Sequence, residues 1–194
     1  KIFDFEKWIK INNGQKLFPP RIVNSIYFDN LNFSMYEQSM EGVTPRKKIR
    51  IRTYGNNFFL KDSSKFKKET KITSSEGRFK NSEKFSKPIK SIFSGIYDAN
   101  YGLCYPSLNV FYNRRYYKVK NVRITLDTDI KYKKIISNSI SHMYTSDNYN
   151  VAEIKYDAVK YGNIFNSEFP FERSRFSKYC RGLEFSKINY CNEI

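Results

Sequence analysis

The chain has 194 residues, with 35 Lys and Arg against 19 Asp and Glu, a formal net charge of +16 and a pI near 9.7. That balance implies a polyanionic partner, a membrane surface or nucleic acid, and the length suits one domain with a real core. No apolar run approaches the roughly 20 residues of a spanning helix. Cys104, Cys180 and Cys191, with His142 alone for imidazole, fit neither a zinc site nor a disulfide framework, so a reducing compartment is expected.

Phe5, Trp8 and Ile9 recur at helical spacing and predict a short amphipathic helix over 4–12, with Asp4 as N-cap, Gly14 past its end and Trp8 as a packing anchor. Pro19-Pro20 is expected to break the chain before a strand over Val23 to Phe28, which the Asp29-Asn30 turn ends. Phe33 to Met40 is a short strand or helix.

Next comes Arg46-Lys47-Lys48-Ile49-Arg50-Ile51-Arg52-Thr53-Tyr54. As a strand, it sets Arg46, Lys48, Arg50 and Arg52 on one face and Ile49 and Ile51 on the other. Two unit charges about 6 Å apart repel by roughly 3 kcal/mol at an effective dielectric near 20, so water or an anion must offset this face. A solvated edge strand is the competing reading. A Gly55-Asn56-Asn57 turn and Phe58 to Lys61 complete a predicted hairpin, and the Lys- and Ser-rich stretch to Lys90 is expected to be loop plus a surface helix.

A helix is expected over Ser91 to Tyr97, followed by strands over 108–117, 121–130 and 150–156, with Lys131 to Asn148 as polar connection. The strands alternate again. Arg123, Thr125 and Asp127 oppose Val122, Ile124 and Leu126; Glu153 and Lys155 oppose Ala152, Ile154 and Tyr156; Arg114 stands beside Tyr112 and Tyr116. Lys178 precedes an expected turn at Gly182. Strands with one charged and one apolar face suit a closed barrel with a polar interior, or a sandwich with its charges in water, and the alternation does not choose between them.

Asn24-Ser25-Ile26-Tyr27-Phe28-Asp29, Gly42 with the basic strand through Gly55, Tyr112-Asn113-Arg114-Arg115, Arg123 to Asp127, Glu153-Ile154-Lys155-Tyr156 and Phe176-Ser177-Lys178-Tyr179 follow one another in order. Together they resemble the vacuolar transporter chaperone (VTC) domain, the polyphosphate polymerase branch of the triphosphate tunnel metalloenzymes, over about residues 20 to 182. The resemblance implies one α+β domain over 1–194, an antiparallel β-barrel tunnel with a charged lumen and helices packed outside. It implies Arg50, Arg52, Arg114, Arg123 and Lys178 as the residues acting on phosphate and Glu153 as the metal ligand, with Lys48, Lys61 and Lys155 as further substrate contacts and Asp127 as a second-rank candidate.

Two departures stand beside it. The family's opening strand, with an acidic residue and a lysine, is missing from these residues, and its Glu-any-Lys element on the strand beside the basic one is expected near Phe59-Leu60-Lys61-Asp62-Ser63, with Lys61 or Lys65 standing in.

The implied reaction moves the γ-phosphoryl group of ATP onto a growing polyphosphate, aided by Mn²⁺ or Mg²⁺, hard ions that prefer oxygen ligands. A triphosphatase, or a noncatalytic module for polyphosphate or inositol polyphosphate, would use the same lining. Basic residues interleaved with aromatics also suit single-stranded nucleic acid, but no RNP-like, zinc-finger or helix-turn-helix signature accompanies them, and no specific nucleic acid is expected. The expected location is cytoplasmic, with a membrane-protein partner able to hold the chain at the cytosolic face.

Overall fold

A computed structural model describes residues 1–55, 65–136, 138–155 and 169–191. They form an antiparallel β architecture with few helices, as predicted. The strands are β1 (Gln15–Asp29), β2 (Arg46–Tyr54), β3 (Lys67–Ser74), β4 (Gly77–Lys84), β5 (Ile96–Asp98), β6 (Gly102–Val119), β7 (Val122–Ile136), β8 (Ser139–Ile140), β9 (Thr145–Ser146) and β10 (Val151–Lys155). Among the described residues three α-helices accompany them, α1 (Ile2–Ile11), α2 (Ser34–Glu41) and α3 (Lys178–Cys191). The pairing order is β10-β7-β6-β1-β2-β3-β4, with β5 on β6 and β8 and β9 on β7. Among the described residues no ladder joins β4 to β10, so hydrogen bonds do not close the expected barrel.

The chain divides into two compact units of interleaved segments. One comprises Lys1–Ile22, Tyr112–Ile130 and Asn148–Phe176. Its core is the apolar face of β7 covered by α1: Val122, Ile124 and Leu126 are at most 1% exposed and cluster with Phe5, Trp8 and Ile9. Phe5 stacks on Phe171 at 5.5 Å and Trp8 meets Phe169 edge-on at 5.0 Å, so Trp8 is the expected packing anchor. The helix starts earlier than expected, at Ile2, and Asp4 lies in its first turn rather than capping it, where its charge still favours the positive end of the helix dipole.

The second unit comprises Val23–Phe111, Lys131–Asp147 and Ser177–Ile194. Ile49 and Ile51 of β2 pack with Ile26, Phe28 and Met35, so the apolar face of the basic strand is the core face, as alternation required. Met35 belongs to α2, which settles the 33–40 segment as helix. Asp29 terminates β1 by accepting bonds from the backbone N–H of Met35 at 3.0 Å and Tyr36 at 2.9 Å, which aims the first turn of α2 at this core.

Several expectations are corrected. Pro19-Pro20 does not break the chain: β1 runs through both prolines, whose fixed φ suits an extended segment and whose missing N–H is tolerated along this exposed stretch. The basic stretch expected to be loop and helix is the β3–β4 hairpin, turned at Ser75-Glu76 with Gly77 at φ 148°. The segment over 91–97 is a 3₁₀ turn, Ile89–Ser94, followed by β5. Lys131 to Ile136 continue β7 rather than starting a connection, because Tyr132 is buried and bonds Asp147 at 2.7 Å. Gly182 is no turn: it lies inside α3, where a Cβ would stand 2.5 Å from both Leu108 Cδ2 and Tyr132 Cδ1. The predicted turn at 56–57 and strand over 58–61 lie outside the described residues.

Candidate functional site

In the second unit, β2 lies between β1 and β3, and the register sets Arg50 opposite Tyr27 on one side and Glu69 on the other. Arg50 donates from Nε to Glu69 Oε2 at 2.7 Å and from Nη1 to the Tyr27 hydroxyl at 2.9 Å. Arg52 Nη1 lies 3.4 Å from the same Glu69 oxygen, and its Nε donates to Ser25 Oγ at 3.2 Å. Lys80, from β4, donates to the other Glu69 oxygen. One carboxylate, 7% exposed, thus holds two arginines and a lysine in fixed positions.

Burial raises the Glu69 carboxyl, but the Arg50 and Arg52 charges, with hydrogen bonds from Lys80 and Arg50, outweigh it and bring the pKa down to about 2. Tyr27 follows the same logic: burial raises its phenol, and Arg50, Arg52 and Lys178 together bring it below its ordinary value. Lys178 therefore acts on the same surroundings as the two arginines. The first turn of α3 brings it there, because Tyr179 stacks on Tyr27 with ring centroids 5.1 Å apart and donates from its hydroxyl to Asp29 Oδ2 at 2.6 Å. Lys48 donates to Ser177 Oγ at 2.8 Å just ahead of that turn.

In the first unit, β6, β7 and β10 supply a second group. Arg114 makes a bidentate pair with Asp127, Nε to Oδ1 at 2.6 Å and Nη2 to Oδ2 at 2.7 Å, and its Nη2 lies 3.7 Å from Glu153 Oε2. Burial opposes the charge on Arg114, but the bond to Asp127 and the nearby Tyr112, Asp127 and Glu153 together outweigh it and hold the guanidinium even more firmly protonated than usual. Lys155 Nζ lies 3.7 Å from Glu153 Oε1. Arg123, opposite Lys155 in the β7–β10 ladder, is exposed and stands 5.6 Å over the Tyr116 ring.

The structure thus brings Arg50, Arg52, Lys48 and Lys178 together in one unit and Arg114, Arg123, Glu153, Lys155 and Asp127 in the other. Lys61 lies outside the described residues. The sequence reading missed Glu69, the carboxylate that organises the basic strand, because it sought the Glu-any-Lys element at 59–63. The strand paired with β2 is β3, and it carries Glu69-Thr70-Lys71, with Glu69 opposite Arg50 and Lys71 opposite Lys48. That triplet is the available signal; its partner strand could not be known without the pairing.

Among the described residues no three His, Cys, Asp or Glu side chains cluster as a metal cage. Asp127 is 1% exposed and spans the Arg114 fork, whereas the Glu153 side chain is 48% exposed with both cations at 3.7 Å. An all-oxygen position with one carboxylate, open to phosphate and water oxygens, fits Mg²⁺-like ions, which retain several waters and rarely need an all-protein cage.

This is the fold of the triphosphate tunnel proteins. Residues 20–187 match the VTC domain model, and the chain belongs to the VTC domain family. A solved structure from Hippeastrum, described as a candidate adenylyl cyclase that reveals a dominant triphosphatase activity, is similar at 14% identity and TM-score 0.52, over 95% of this chain and 91% of that one. Another, from Bacillus halodurans and described as a candidate adenylate cyclase, is similar at 12% identity and TM-score 0.56, over 93% and 91%. No curated protein matches the sequence.

Proposed function

We propose that this protein is a polyphosphate polymerase, transferring the γ-phosphoryl group of ATP to the terminal phosphate of a growing inorganic polyphosphate. The observation that carries the reading is the Glu69-anchored arginine pair on the charged face of β2, in a chain of the VTC domain family. Phosphoryl transfer asks little covalent chemistry of a protein; it requires in-line positioning and compensation of charge on nonbridging oxygens. Guanidinium groups held by a carboxylate reach that geometry before substrate arrives, and their planar forks match phosphate oxygens.

Arg50 and Arg52, with Lys48 and Lys178, bind phosphate oxygens in one unit, and Arg114 and Arg123 do so in the other. Glu153 would hold Mn²⁺ or Mg²⁺, with Lys155 beside it, and the ion would offset charge on phosphate oxygens. In the transfer, the bond from the γ-phosphorus to the bridging oxygen of ADP breaks as the terminal oxygen of the chain bonds to that phosphorus. ATP as donor implies action in the cytoplasm, and attachment to the cytosolic face of a membrane rests on a membrane-protein partner. Among the described residues no helix is long and apolar enough to cross a membrane.

A triphosphatase reading draws support from the activity described for the Hippeastrum structure. Phosphorus NMR of the full-length protein with ATP and Mn²⁺ separates the two. Internal-chain phosphate signals are the expected result; orthophosphate alone would establish the hydrolase, and an unchanged spectrum would defeat both. Arg50→Ala is expected to abolish synthesis, and a variant that makes polymer at the normal rate would remove Arg50 from the assignment.

A further inference from the structure

The β3–β4 hairpin carries a charge pattern that phosphate contacts on β2 do not explain. Residues directly opposite in an antiparallel ladder share a face. The two registers therefore build rows across three strands: Arg52, Lys67 and Lys84 form one, and Lys48, Lys71 and Lys80 another. Between them lies the row of Arg50, Glu69 and Ser82, and beyond them Arg46, Thr73 and Arg78. Glu69 is the one carboxylate on this lattice, and Arg50, Arg52 and Lys80 already share it.

Like charges directly opposite destabilise a sheet, and here they recur on adjacent strands. Edge protection accounts for lysines on β4, which ends the pairing order, but not for those on β3, a strand paired on both sides. The opposite face of the same hairpin behaves conventionally: Lys68 stands across from Glu83 and bonds it at 3.0 Å. The unbalanced stacking thus belongs to the face that carries Arg50 and Arg52. Across the strands the cations of a row lie about 5 Å apart, and along β4 Arg78 and Lys80 lie about 7 Å apart with Lys84 about 13 Å beyond Lys80, so a flexible chain of phosphates can follow them in either direction.

We infer that Lys67, Arg78 and Lys84 form an outlying track for the already-made part of a linear polyphosphate, leading away from the arginine pair. The inference rests on the polymerase reading and adds to it a device for retaining product. A chain held here stays bound between additions, so the track sets product length rather than the rate of a single transfer. Lys67, Arg78 and Lys84 are exposed, so their loss leaves the core intact.

The test compares binding of long-chain polyphosphate and of tripolyphosphate by a variant combining Lys67→Gln, Arg78→Gln and Lys84→Gln. The control removes equal charge elsewhere, through Lys10→Gln, Lys90→Gln and Lys118→Gln, all exposed. The track variant is expected to bind the long chain about tenfold more weakly, with a salt slope smaller by about 2 to 3, because each lost phosphate contact lowers the slope by about one. Its tripolyphosphate affinity stays within about twofold, since removal of exposed side chains leaves neighbouring sites nearly intact.

Equal losses in the control variant would reduce the effect to net charge and overturn the track. Unchanged long-chain binding in the track variant, with tight binding by the unaltered protein, would also overturn it while leaving the polymerase reading in place. Tighter binding of single-stranded RNA than of polyphosphate at matched charge and salt would overturn both.

Discussion

Arg50 and Glu69 face each other across the β2–β3 ladder, and both Nε and Nη2 of the guanidinium sit 2.7 Å from a single carboxylate oxygen. Glu69 thus offsets the crowding of Arg50, Arg52 and Lys80 while no anion is bound. Replacement by Gln keeps the shape and removes the charge. Breaking a buried pair costs roughly 3–5 kcal/mol, and the water reached by Arg50 and Lys80 reduces this to about 2 kcal/mol. Glu69→Gln is therefore expected to unfold at lower urea and to be rescued by tripolyphosphate more than the unaltered protein is. An equal response of both proteins to the anion would show that Glu69 does not restrain the arginines.

The same carboxylate sets an acid limit. Its folded pKa of about 2 lies below the ordinary 4.5, so the folded state binds fewer protons in between. The stabilisation is complete above about pH 4.5 and fades as the pH falls toward 2. With solvent screening it amounts to about 2 kcal/mol. Urea midpoints taken across that window should fall more steeply in the unaltered protein than in Glu69→Gln, and parallel curves would refute the linkage.

Arg114 and Glu153 should separate stability from chemistry. Arg114→Ala leaves Asp127, at 1% side-chain exposure, without its bidentate partner and is expected to cost about 3 kcal/mol. Glu153→Gln alters a half-exposed side chain and is expected to change stability by at most about 0.5 kcal/mol while abolishing metal-dependent turnover. Thermal melts and turnover measured on both variants check this. Normal turnover in well-folded Glu153→Gln would remove it as the metal ligand.

At Gly182, Ala forces a Cβ against Leu108 and Tyr132 at 2.5 Å, and side chains of a packed core cannot yield that far without strain. Overpacking of this kind costs about 1–3 kcal/mol, so Gly182→Ala should lower the melting temperature even though Ala favours helix. An unchanged or raised melting temperature would mean that α3 can retreat from β6 and β7.

Period-two alternation revealed β2, β7 and β10 because each has one face on a hydrophobic cluster, with Ile49 and Ile51 or Ile124 and Leu126 marking it. β3 and β4 left no such mark. Ile72 and Phe79 are their main apolar residues, β4 is exposed almost throughout, and cross-strand pairing rather than burial defines the hairpin. For the site, Arg50, Arg52, Arg114, Arg123, Glu153 and Lys178 came from matching motifs, whereas Glu69 depended on which strand lies beside β2. That pairing is nonlocal. Gly182 read as a turn in sequence, and only the approach of Leu108 and Tyr132 reveals why glycine stands within a helix.

The bond from Tyr179 to Asp29 spans 150 positions of the chain. A ribosome emits Asp29 well before Tyr179, and at 5–20 residues per second roughly eight to thirty seconds separate them. During that interval the basic strand can pair with its neighbours, but Tyr27 still lacks the ring that stacks on it and Lys178 has not been made. A nascent chain therefore acquires its cationic face before the helix that finishes it, and polyanions in the cell meet an incomplete site first. The helix α3 acts as a timer on assembly, and a chain cut short before Ser177 would keep its charge without that completed arrangement.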